Sequence, residues 1–240
     1  MRPIDLGALD LVSRRLASLN VNFAFAGGAV VGFLLDNLSL PFPRQTDDVD
    51  AIVEIVTRIQ YTDLEARLRE EVGFRHDTSE GAPLCRWIVD GTKVDIMPMR
   101  DPTGHFSDRW FDYALQTATQ QTLRGVTIRA ISATCFIATK LVAFEDRGHG
   151  DFFASHDLED VLTVVDGRKS LCAELAVERK DLRQYIAGRI KDLLANPIFK
   201  EALPGHLPPD GASQARLPLL IQRLDDLASL YAESPDTQPP

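Results

Sequence analysis

Apolar residues along this chain recur first at helical spacing, then in mixed helical and strand patterns, then at helical spacing alone. Leu6, Leu9, Val12, Leu16 and Leu19 lie three or four apart, which predicts an amphipathic helix over 4–19 with Arg14 and Arg15 outward. A short apolar strand over 21–26 runs into Gly27-Gly28, and the apolar run 29–36 reads as a second helix. Pro41 and Pro43 make 38–45 a loop. A strand follows over 48–56, then a helix over 61–71 with a Thr62-x-x-Glu65 capping pattern, broken at Gly73. Two strands, 84–89 and 92–98, flank Asp90-Gly91, a hairpin signal. The pattern then predicts a helix over 106–123 and a short strand over 126–130.

Beyond Ser132, which reads as an N-cap, strands cease. Phe136, Ile137, Lys140, Leu141 and Phe144 are periodic in a helix over 134–146 that ends at Gly148-His149-Gly150. Further helices are expected over 155–165, 171–176, 182–194 and 217–231, with a Pro- and Gly-rich loop over 203–214. The reading is an α+β chain. A mixed β-sheet flanked by helices occupies 1–130, a C-terminal helical domain 131–232, and a polar, Pro-rich, disordered tail 233–240.

Composition narrows the function classes. A length of 240 residues allows one or two domains, and 45% hydrophobic residues support a sizeable core. The net charge of −9, from 26 Lys and Arg against 35 Asp and Glu, weighs against a dedicated nucleic-acid binder without excluding a local basic groove. Cys85, Cys135 and Cys172 are far apart, which reads as reduced, packed thiols in a cytoplasmic protein. No apolar run reaches transmembrane length and no signal peptide is recognisable, so no membrane association is expected.

The candidate chemistry starts at the glycines. Gly27-Gly28 lets the backbone approach a ligand closely, and a helix starting there would aim free N–H groups at an anion such as phosphate. Asp48 and Asp50, two apart in a strand, project to one face while Val49 and Ala51 face the core. Their repulsion is relieved by a divalent cation, and hard oxygen ligands suit Mg²⁺ or Mn²⁺. Asp95 interrupts an apolar run, which calls for a charge partner or a metal. If its strand lies beside that of Asp48, three carboxylates converge over the glycine turn, the equipment for two-metal phosphoryl or nucleotidyl transfer. One of them would help deprotonate an attacking hydroxyl. Each feature alone has a plainer reading. Asp48 and Asp50 fit a turn before a strand, Asp95 a partner for Lys93 or an Arg, Lys140 a snorkelling side chain, and Asp157 and Asp160 acids of a helix's first turn.

Together, Gly27-Gly28, Asp48-x-Asp50 and Asp95 resemble the DNA polymerase β-like nucleotidyltransferase superfamily. The form Arg44-x-Thr46-x-Asp48-Val49-Asp50 is similar to the AbiEii/AbiGii (MenT-type) group, toxins of type IV toxin–antitoxin and phage-defence systems. Lys140-Leu-Val-Ala143-x-x-x-Arg147, followed by Ser155-His156-Asp157-Leu158-Glu159-Asp160, looks like that group's C-terminal motifs. The likeness covers residues 20–168. It departs from the superfamily in a longer spacer between Gly28 and Asp48, and in Ala29 where Ser or Thr is usual. The resemblance implies NTP bound between the two halves, with Asp48, Asp50 and Asp95 as metal ligands. It implies Gly27, Gly28, Arg44 and Thr46 as nucleotide contacts, Lys140 on a phosphate, and Asp157 as a C-terminal acid. It implies transfer of an NMP to an acceptor, tRNA by analogy and otherwise a protein or small molecule, and a cognate antitoxin as partner. The alternative is a non-catalytic relative that binds nucleotide or a partner. Arg147 is expected to pair with Asp151 or Asp157, and Arg179, Lys180, Arg183, Arg189 and Lys191 form one candidate basic face.

Overall fold

Ala8, Leu9, Val12 and Leu16 are buried along one face of α1 (Leu6–Ser18), so the opening helical spacing carries through to packing. Each fully buried Leu or Val contributes about 1.5–3 kcal/mol relative to an exposed one. The structure is a computed structural model that describes residues 6–36, 46–100, 108–148 and 150–231. The chain divides into two compact units, Met1–Thr139 and Lys140–Pro240.

In the first unit, β1 (Phe23–Ala26) leads into Gly27 at φ 63°, then a 3₁₀ turn over Gly28–Val30 and α2 (Val31–Leu34). The helix expected over 29–36 is therefore only one α-turn. Val30, Val31 and Gly32 are weak helix formers, and Leu35 is already extended at ψ 136°. The macrodipole of so short a helix is small, so the anion site expected there loses that support. Arg44 and the Pro41–Pro43 loop lie outside the described residues.

β2 (Asp48–Val53) buries Val49, Ala51, Ile52 and Val53. α3 (Arg58–Glu70) starts earlier than its apolar spacing indicates. Its capping box is Thr57 with Gln60, whereas the Thr62 hydroxyl is spent on the Arg58 carbonyl inside the helix. Gly73 at φ 74° ends the segment. β3 (Arg75–His76) precedes β4 (Arg86–Val89) and β5 (Thr92–Pro98), which are joined by Asp90 and Gly91 at φ 48° and 83°. Two successive positive φ angles give the tight primed turn that the Asp-Gly pair announces.

The helix expected over 106–123 is shorter than its pattern. α4 (Phe111–Thr117) gives way to β6 (Thr119–Leu123), which pairs with β7 (Val126–Ala130). β6 lies at the sheet edge and buries only Leu123, so no apolar alternation marked it as a strand. Seven strands form one sheet in the order β3-β4-β5-β2-β1-β7-β6. The pairs β2/β5 and β1/β7 are parallel, and the other pairs are antiparallel. The mixed sheet with flanking helices expected from the sequence is present.

After β7, the Ser132 hydroxyl caps α5 (Ala133–Arg147) by accepting from the Cys135 N–H at 3.2 Å. The two units divide within this helix. The second unit continues with α6 (His156–Gly167), α7 (Leu171–Val177), α8 (Lys180–Ala195), α9 (Pro197–Ala202), α10 (Gly211–Gln214) and α11 (Leu217–Ala228). Leu182, Ile186, Ala187, Ile190 and Leu193 of α8 are buried, as are Leu220, Leu224 and Leu227 of α11, and the two helices pack together. Part of the loop expected over 203–214 is a 3₁₀ turn, Leu203–His206, and α10. The Gln214 amide donates to the carbonyls of Pro204, Leu207 and Pro208 and ties that segment together. The tail 233–240 lies outside the described residues, as do His105 and His149. Among the described residues, no strand follows β7 and no helix is long and apolar enough to cross a membrane.

Candidate active site

The sheet register sets one row of polar side chains across three strands. Arg86 on β4 faces Asp95 on β5, and Asp95 faces Asp50 on β2. Residues aligned in this way share a face of the sheet, and Asp48, two residues before Asp50, points the same way. The strand carrying Asp95 does lie beside the strand carrying Asp48. The opposite face takes Val49, Val94 and Ile96, which are buried in the core.

Arg86, which the sequence motifs did not single out, is the hub of this row. Its Nε donates to Asp95 Oδ1 at 2.8 Å and its Nη2 to Asp95 Oδ2 at 2.7 Å, a bidentate fork. The same Nη2 donates to Asp48 Oδ2 at 2.6 Å. Hydrogen bonding to Asp95, opposed by burial and reinforced by the charges of Asp95, Asp48 and Asp50, holds the guanidinium's pKa above its ordinary value. Asp95, only 8% exposed, thus has the arginine partner that a buried acid requires, and Lys93 stays exposed. Among the described residues, no three His, Cys, Asp or Glu side chains form a cluster arranged for a metal ion. Asp48 and Asp95 instead converge on a guanidinium.

Gly27 meets the same row from the other side. Ala26 pairs with Asp50 across β1 and β2, and the carboxylate of Asp50 lies against the Gly27 backbone. A Cβ at residue 27 would fall 1.7 Å from Asp50 Oδ2, and φ 63° is itself a conformation that L side chains rarely adopt. The turn and the acids meet despite the long spacer. Thr46, expected on the nucleotide, donates its hydroxyl to the Asp48 carbonyl at 3.2 Å and so braces the start of β2. Cys85, buried just before β4, has a thiol pushed up to about 12 by burial and by the charges of Asp95 and Asp50, so it stays neutral beside the acids.

The comparisons bear on the fold. No protein-family model matches the chain, and no curated protein does. Among solved structures, an antigenic nucleotidyltransferase-like protein from Paracoccidioides brasiliensis matches with a TM-score of 0.50 and 21% identity, covering 83% of this chain and 92% of that one. The fold is a nucleotidyltransferase-type fold. The antibiotic-resistance factor ANT(2'')-Ia is also similar, with a TM-score of 0.48 and 14% identity, covering 79% of this chain and 93% of that one. JHP933 from Helicobacter pylori matches with a TM-score of 0.44 and 13% identity, covering 93% and 87% of the two chains. The likeness extends to the fold, and it does not test the narrower toxin group.

Lys140 and Asp157 belong to an ion cluster in the second unit. The Lys140 ammonium, on a residue 8% exposed, lies 3.0 Å from Asp157 Oδ1 and 2.7 Å from Asp160 Oδ2. Asp160 is 2% exposed. Arg147 completes the cluster with Nε at 3.0 Å from Asp157 Oδ2 and Nη2 at 3.1 Å from Oδ1, so of its two expected partners it takes Asp157. Burial pushes the Asp157 carboxyl up, but the bonds from Arg147 and Lys140 outweigh it and hold the carboxyl below its ordinary range. The lysine does not snorkel to solvent. Its observed charge partners are carboxylates. The basic run of α8 is partly neutralised too: Arg179 pairs with Asp181, and Arg189 with Glu145 and Asp192.

Proposed function

We propose that this chain is a nucleotidyltransferase that moves an NMP from an NTP to an acceptor, with Asp48, Asp50 and Asp95 as its catalytic carboxylates. The observation that carries the reading is the alignment of Asp95 with Asp50 on adjacent parallel strands, with Asp48 on the same face and the Gly27 turn against Asp50, in a nucleotidyltransferase-type fold. The donor set fits a hard divalent cation: it is all carboxylate oxygen, and a cationic group already bridges two of its members. Asp48, Asp50 and Asp95 would hold Mg²⁺ or Mn²⁺, which would neutralise charge on the triphosphate and on the leaving pyrophosphate.

The reaction balances without any other reactant. The acceptor oxygen bonds to the α-phosphorus, the bond from that phosphorus to the bridging oxygen of the β-phosphate breaks, and pyrophosphate leaves. The acceptor's proton passes to one carboxylate of the set. Gly27 keeps the backbone low enough for a phosphate to approach Asp50. Lys140 and Asp157 enter this reading only through the resemblance, as does Arg44, since the observed partners of Lys140 and Asp157 lie within their own ion cluster.

On the same resemblance we place tRNA as the acceptor and a toxin–antitoxin or phage-defence system as the setting, with an antitoxin as partner. The test uses the full chain with each α-³²P-labelled NTP and Mg²⁺, offering total tRNA and, separately, total protein. The expected result is label on tRNA from at least one NTP, lost in Asp48→Asn and Asp50→Asn. Label on protein alone would overturn the acceptor. No label on either, with no Mg²⁺-dependent thermal shift by any NTP, would overturn the enzyme reading in favour of the non-catalytic relative.

A further inference from the structure

We propose that Arg86 is a positioning residue: it holds Asp48 and Asp95 as a resident cation, and yields them to a divalent metal when a nucleoside triphosphate is present to receive the guanidinium. The inference rests on the nucleotidyl-transfer reading and deepens it, because it assigns the order in which that site fills. Three hydrogen bonds of 2.6–2.8 Å tie the guanidinium to the two carboxylates, and two of those bonds form a planar fork on Asp95. An arginine does not give up its charge by losing a proton, so it vacates an oxygen only by moving.

A metal arriving alone would have to take Asp48 and Asp95 oxygens from a guanidinium left with nothing in exchange. Phosphate oxygens offer that guanidinium the same bidentate geometry that it gives up on Asp95. Nucleotide and metal therefore help each other bind, and the coupling is reciprocal. The register supports a built device: Arg86 sits directly across from Asp95, at the position where its side chain shares the carboxylates' face. Its side chain is 18% exposed, so it borders solvent from which a phosphate can reach it.

Two measurements on the full chain decide the matter. Binding of Mn²⁺ alone is followed by the loss of the free-ion electron paramagnetic resonance signal. Arg86→Met should bind Mn²⁺ about tenfold more tightly than the wild type, equivalent to about 1.4 kcal/mol. Equal or weaker binding in the variant would overturn the proposal while leaving the transfer assay standing. Absence of Mn²⁺ binding in both proteins, together with no transfer, would remove the enzyme reading and this inference with it. The second measurement needs only the wild type and so survives a variant that fails to fold. The Arg86 Nε–H resonance, assigned by its loss in Arg86→Lys, should stay in place with Mg²⁺ alone and move when Mg²⁺ and α,β-methylene NTPs are added together. A resonance that moves with Mg²⁺ alone, or that never moves, would show that the arginine is a fixed brace.

Discussion

Replacing Lys140 by Met removes one of the two positive charges of the second unit's ion cluster and keeps most of the side-chain volume. The ammonium sits 3.0 Å from Asp157 and 2.7 Å from Asp160, and all three residues are buried. Removing one partner of a buried pair costs about 3–5 kcal/mol, because the charge left behind is no longer compensated. Arg147 still holds Asp157 through two hydrogen bonds, so the loss should fall near the lower figure, about 3 kcal/mol. Urea unfolding followed by far-UV circular dichroism measures it, because the second unit is helical among its described residues. The double variant Lys140→Met/Asp160→Leu should recover most of the loss, because it removes the orphaned charge as well. A deficit under about 1 kcal/mol, or a double variant no more stable than the single one, would show that the ammonium is not what compensates the buried acids.

Three further outcomes follow from the geometry. Asp157 is held below its ordinary pKa, so its contribution to stability is complete above about pH 4 and is lost as pH falls through the lowered folded value; melting temperatures between about pH 5 and 2.5 should show an acid limb that Asp157→Asn flattens. Gly27→Ala must accommodate a Cβ 1.7 Å from Asp50 Oδ2 at φ 63°, so it should lose about 2 kcal/mol or more and any thermal shift by Mg²⁺ with NTP; an unchanged melting temperature would contradict the close approach. Thr57→Val should cost about 1 kcal/mol through the lost cap of α3, whereas Thr62→Val should stay within about 0.5 kcal/mol, and equal losses would reject the assigned capping box.

The carboxylate row was legible because its signals are local. Asp48 and Asp50 share a face by strand periodicity, and Asp95 was conspicuous as an acid between Val94 and Ile96. Arg86 carried no motif of its own, yet its place opposite Asp95 can be counted back from the Asp90-Gly91 turn, four residues on each side. Its contact with Asp48 cannot be counted, because it depends on β2 lying beside β5, a pairing between distant segments. β6 escaped for a different reason. An edge strand with one neighbour has little need of an apolar face, and Thr119-Gln-Gln-Thr-Leu123 carries only one buried residue. The run 29–36 misled because apolar content records burial, whereas Val30, Val31 and Gly32 decide how long a helix persists. The resemblance marked Lys140 for a phosphate and Asp157 as a C-terminal acid; that the two pair with each other, and that Asp160 shares the ammonium, required the three-dimensional packing of α5 against α6.

A surface turn is ordinarily where a chain drifts in length at little cost. The Asp90-Gly91 turn is not free in that way. Gaining or losing one residue there, with no bulge to absorb it, would slip β4 by one position against β5 and carry Arg86 to the opposite face of the sheet. Asp95 would then be a buried acid facing apolar neighbours in place of a guanidinium. Changes of two residues keep the face but move Arg86 along the strand, away from Asp95. Length variation in this turn is therefore quantised by parity, and a loop well outside the carboxylate row determines which charge that row meets.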